Sequence, residues 1–234
     1  MNDEKKEEYS YDQEGLGEQT DHVSEAAVAY AVNPSIIQSE LDACLAGDKT
    51  MKDYLALPEG TRIEMINGVF YDMAAPNVIH QQISSAIMYA FLHHVKANRG
   101  TCVPFAAPTD VQLDCDDKTM VQPDVFVVCD RKKIIRERIV GAPELVVEIV
   151  SPSNYNMDEV IKLMKYRHAG VLEYWLIQPE ERRVLVYFFE SSVDPVEYSF
   201  EEKVPVGIWE GKCEVDFREV QEHIRFLYED VGEA

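Results

Sequence analysis

From residue 50 onward the hydrophobic positions change period several times, and each change marks an element. MKDYLAL follows Thr50, a candidate cap, and Pro58 with Gly60 closes it, which predicts a short helix. RIEMI and VFYDM flank Asn67-Gly68, a pair suited to positive φ, and predict a hairpin. Behind Asn77, the residues Ile79, Ile83, Ile87, Phe91 and Val95 recur at helical spacing, and Gly100 ends the pattern. Short strands are expected over 102–106 and 109–113, then two denser apolar runs over 125–129 and 145–150. Residues 156–168 return to helical spacing, with Val160, Leu163, Met164 and Arg167 in register and Gly170 as the stop. LEYWLIQ and RVLVYFF read as strands around a Pro179-Glu180 turn. Residues 199–217 mix strand and loop signals, and 217–228 predicts a last helix. Hairpins with a few helices imply an α/β (α+β) fold, a mixed sheet flanked by helices, not a regular βαβ repeat.

The segment before residue 50 differs. Residues 1–49 carry 12 acids against 3 bases, and the first 22 show no periodicity, so they read as a solvated tail. Ile37, Leu41 and Leu45 over 33–46 predict a short helix that either docks on the domain or binds something else. The expected organisation is an acidic extension over 1–49 and one domain over 50–234. No run reaches the roughly 18 apolar residues of a membrane span, and the polar N-terminus lacks the apolar core of a secretory signal. The five cysteines are scattered, without CxxC or zinc spacing, which suits a reduced, cytoplasmic setting. The net charge of −21 opposes general adhesion to nucleic acid.

Two acids interrupt the densest apolar runs. Asp124 opens one and Glu148 sits inside the other. Alternation puts Glu148 on the face of Val146 and Val150, and Asp124 on the face of Phe126 and Val128. Burying an ionised carboxylate costs several kcal/mol or more unless it is compensated. If the strands pair, the acids converge at one edge and repel, unless a cation stands between them. A hard divalent ion such as Mg²⁺ takes oxygen ligands and bridges to phosphate. Lys162, on the helix that follows Glu148, is placed to neutralise charge that develops there.

These stretches carry a family resemblance. Pro123-Asp124, Glu148 on the next strand and a nearby lysine resemble the PD-(D/E)XK nuclease core. IEMINGVFYDM, APNVIHQQI, QPDVFVV, GAPELVVEIVSPS and DEVIKLMKYRHAGVLEYWLIQPE, in order from about Thr50 to Glu190, resemble the Uma2 family of restriction endonuclease-like proteins. The resemblance implies a Mg²⁺- or Mn²⁺-dependent endonuclease acting on nucleic acid, DNA in the first instance, with RNA and a homodimer left open. It implies Asp124 and Glu148 as metal ligands and Lys162 as catalytic lysine. Val150 stands where the parent motif has its lysine. Glu64 is the candidate third ligand, His80 and Gln82 open the long helix toward the site, and Gln122 is a candidate to position phosphate or water. Arg131, Lys132, Lys133, Arg136 and Arg138 form a basic segment between the acid-bearing strands, read equally as a phosphate-backbone arm or a solubilising loop tip. The competing reading is a non-catalytic interaction module on a nuclease fold.

Overall fold

A computed structural model describes residues 47–113, 117–150, 157–191 and 194–228. The expected tail over 1–22, the expected helix over 33–46 and the connection 151–155 lie outside the described residues.

Most predicted elements form. Helix α1 (Met51–Leu55) starts in a capping box between Thr50 and Asp53. Strands β1 (Ile63–Ile66) and β2 (Val69–Asp72) pair around Asn67 and Gly68, both at positive φ. Helix α2 (Val78–Ala97) is capped by the Asn77 side chain, which accepts from the His80 amide. It ends earlier than Gly100 suggests, because Arg99 adopts the left-handed φ of 51°. Strands β3 (Val103–Ala106), β4 (Val111–Gln112), β5 (Met120–Val121), β6 (Val125–Val128), β7 (Ile139–Val140) and β8 (Leu145–Ile149) follow. A π-helical turn, Met157–Lys162, then leads into α3 (Leu163–Ala169), which Gly170 closes at φ 92°. The wide turn shifts the register, so Val160 is exposed although α-helical spacing predicted it in the buried stripe. Strands β9 (Glu173–Gln178), β10 (Arg183–Phe188), β11 (Val196–Ser199), β12 (Lys203–Pro205) and β13 (Glu214–Asp216) resolve the ambiguous C-terminal region, before α4 (Phe217–Ile224).

The main sheet has the order β11-β10-β9-β8-β6-β3, with β8 and β9 parallel and the other pairs antiparallel. A second sheet has the order β2-β1-β5-β4-β7. Alternation splits the main sheet between two cores. Val125, Val127, Leu145, Val147 and Ile149 pack with Ile83, Ile87 and Phe91 of α2 and with α4. Phe126, Val128, Val146, Val150, Tyr174 and Leu176 pack with Tyr166 of α3 and with the second sheet. Each fully buried aliphatic side chain stabilises by roughly 1.5–3 kcal/mol, so this two-sided burial fixes the strand register on which the acids ride.

Two of the five cysteines are paired. Cys102 and Cys129 form a disulfide. The β3–β6 register pairs Val103 with Val128, so its continuation sets the two cysteines opposite each other.

Candidate active site

The β6–β8 pairing sets Val125 against Val147 and Phe126 against Val146. Continued by one residue, that register sets Asp124 across from Glu148. Residues opposed in this way share a face.

A different helix holds each carboxylate. Asp124 Oδ2 accepts from the Ile149 amide at 2.7 Å and lies 3.0 Å from His80 Nε2, on the first turn of α2. Asp124 therefore rests against the backbone beside Glu148. Glu148 is buried, and its Oε1 accepts from Lys162 Nζ at 3.2 Å and from the Tyr166 hydroxyl at 2.5 Å. Lys162 Nζ also lies 2.9 Å from Glu64 Oε2. Glu64 Oε1 in turn accepts from the Gln122 amide at 2.8 Å. Glu64, Glu148 and Lys162 are each about 95% buried. An ammonium thus stands between two buried carboxylates, and the repulsion inferred from sequence is relieved in part by the chain itself.

Burial of Tyr166 beside Glu148 pushes its hydroxyl well above the ordinary phenol range, so it remains a donor. Lys162 and Tyr166 are four residues apart and reach the same carboxylate oxygen. That spacing is visible in the sequence, yet Tyr166 was not singled out there.

Other candidates sit elsewhere. Gln122 does not face open space: its Nε2 donates to Asp110 Oδ1 at 2.7 Å, in a network that includes Tyr54. Gln82 is about 200° round α2 from His80 and lines a cleft of about 690 Å³ with residues of β13 and α4. Lys165, three residues after Lys162 and so a neighbour on one side of the helix, is also buried, at 3% exposed. The basic segment is divided. β6 runs from Asp124 toward Arg131–Lys133, which puts that turn roughly 20 Å along the strand from Asp124, whereas Arg138 precedes β7, whose Ile139 amide donates to the Asp110 carbonyl beside Gln122. Within the segment, Lys133 is bound to Glu144 and the Ala142 carbonyl, and Arg138 to Gln112, while Lys132 and Arg136 are exposed.

Oxygen ligands on opposed strands suit a hard cation. Among the described residues no group of three or more His, Cys, Asp and Glu stands in a metal-holding cluster. A metal on Asp124 and Glu148 would need completion by water, backbone or substrate oxygens, a usual arrangement for Mg²⁺.

Mixed sheets flanked by helices, with acids opposed at neighbouring strand ends, define a restriction-endonuclease-like nuclease fold. A crystal structure of "a putative nuclease belonging to DUF820" from Anabaena variabilis matches with TM-score 0.62 and 21% identity, over 75% of this chain and 98% of that one. The chain belongs to the Uma2 family, described as "Putative restriction endonuclease", whose profile matches residues 51–208. An uncharacterised Synechocystis protein, slr1290, is 28% identical over 128 residues. That alignment spans 54% of this chain and 66% of the relative.

Proposed function

We propose that this protein is a Mg²⁺- or Mn²⁺-dependent endonuclease that hydrolyses phosphodiester bonds in DNA. The observation that carries the reading is the buried Glu64–Lys162–Glu148 arrangement, with Asp124 across the strand pair. Asp124 and Glu148 would hold the ion, which would polarise the phosphodiester and supply positive charge when bound. The remaining work belongs to the chain. Lys162, fixed from behind by Glu64, contributes its ammonium where negative charge builds on the phosphoryl oxygens. His80 orients Asp124 from α2. A water oxygen bonds to phosphorus as the ester P–O bond opposite breaks; the water gives up a proton to solvent and the departing oxygen takes one from solvent.

The test is plasmid cleavage with Mg²⁺, Mn²⁺ or a chelator. Cleavage that needs the metal and disappears in Asp124→Asn and Glu148→Gln is expected. Calorimetry should show Mn²⁺ affinity falling in both variants.

The second reading, an inactive interaction module, is favoured by the net charge of −21 and by the distance of the Arg131–Lys133 turn from the acids. A wild type that binds a nucleic acid or protein ligand but cleaves nothing under any metal would select it.

A further inference from the structure

We infer that Tyr166 is a positioning residue for the metal-binding carboxylate of Glu148, an inference that rests on the reading above. A carboxylate with a single fixed contact can swing about its last torsion, which is broad and roughly two-fold. Glu148 Oε1 has two donors from one helix, the Tyr166 hydroxyl at 2.5 Å and Lys162 Nζ at 3.2 Å. The two donors differ in kind. Lys162 is shared with Glu64 at 2.9 Å, so its hold on Glu148 can vary with the charge nearby. Tyr166 has one proton to give and donates it to Glu148.

The ring cannot move away. Tyr166 is fully buried, stacks at a tilt against Tyr174 with centroids 5.4 Å apart, and belongs to the same core as Phe126, Val146 and Val150. That core is built on the strands that carry both acids. The hydroxyl therefore ties the Glu148 carboxylate to the rigid sheet through α3, independently of Lys162. Outer-shell donors of this kind typically set 10–100-fold in metal affinity.

The experiment compares Mn²⁺ binding by calorimetry in the full-length wild type, Tyr166→Phe and Val128→Ala. Val128 is buried in the same core, at the end of β6 far from Asp124, and carries no polar group. Tyr166→Phe should weaken Mn²⁺ binding by about 10-fold or more, and saturating Mn²⁺ should restore most of its cleavage. Val128→Ala should lower the unfolding midpoint while leaving affinity within about twofold. Equal weakening in both variants, or unchanged affinity in Tyr166→Phe, would overturn the inference while leaving the nuclease reading in place. Absence of Mn²⁺ binding by the wild type would overturn both. If Tyr166→Phe does not fold, the wild-type hydroxyl proton provides the readout by NMR. Its resonance should shift along the Mg²⁺ binding isotherm, and a resonance unmoved at saturation would sink the proposal.

Discussion

At the scale of single residues, Lys162 has two roles that pull in one direction. It is the proposed catalytic cation, and it is also the counter-charge for Glu64 and Glu148 inside the protein. Removing one partner of a buried ionic group costs about 3–5 kcal/mol, because the others lose their compensation. Lys162→Met should therefore lose at least about 10²-fold in cleavage. It should also unfold roughly 6–20 °C earlier, as a thermal scan would show. Added Mn²⁺ should recover more of the midpoint in the variant than in wild type, since a second cation can replace the first. Glu173 presents the contrasting case of a buried acid that nothing in the sequence reading flagged. Its two oxygens accept from the Trp175 indole and the Gly207 and Ile208 amides at 2.7–3.0 Å. Burial nonetheless raises its carboxyl above the ordinary range. With three donors aimed at it, Glu173→Gln turns an amide donor toward a donor. A loss of about 1–3 kcal/mol in denaturant unfolding is expected. A raised folded value favours the folded state fully below the ordinary carboxylate value, and that margin is lost as pH rises from the ordinary value through the raised one. The downward slope of wild-type stability over that window should flatten in Glu173→Gln.

At the scale of elements, alternation was enough to orient Asp124 and Glu148, because a period of two leaves a strand little freedom once its other face is apolar. Pairing direction was not legible, and it decided two matters. Antiparallel β6 and β8 carry the start of their connection, Arg131–Lys133, to the end opposite the acids. The β3–β6 register brings together Cys102 and Cys129, separated by 27 residues and invisible to any spacing rule. Closing a loop of that length stabilises by about 3–4 kcal/mol in the chain-entropy account. Reduction, or Cys102→Ala, should lower the denaturant midpoint accordingly, with peptide mapping of the oxidised protein reporting a 102–129 link. The π-helical turn before α3 was the third hidden feature, since it breaks the 3.6-residue period on which Val160 was placed. Glu64 was legible as an acid in a hairpin, but its contact with Lys162 needs the second sheet to meet the π-helical turn before α3, and no local signal encodes that.

At the scale of the whole molecule, charge and architecture limit how a polyanion can approach. A chain at −21 gains little from diffuse attraction. Exchanging exposed Lys132 and Arg136 together for Ser should change the slope of log affinity against log salt, measured by anisotropy on a DNA duplex, by less than about 1. A change near 2 would instead put both on the phosphate backbone. The two acids share one face of the main sheet, but the helices that hold them pack in different layers. Asp124 answers to α2 in one packed layer, through His80, and Glu148 answers to α3 in the other, through Lys162 and Tyr166. Under selection, the two acids are then separately adjustable. Damage that misplaces Asp124 should be repaired by changes among Ile83, Ile87 and their neighbours. Damage that misplaces Glu148 should be repaired among the side chains around Tyr174 and Leu176. A pairwise mutational scan scored for cleavage would resolve this as two nearly non-overlapping blocks of epistasis, a genetic map of the two layers.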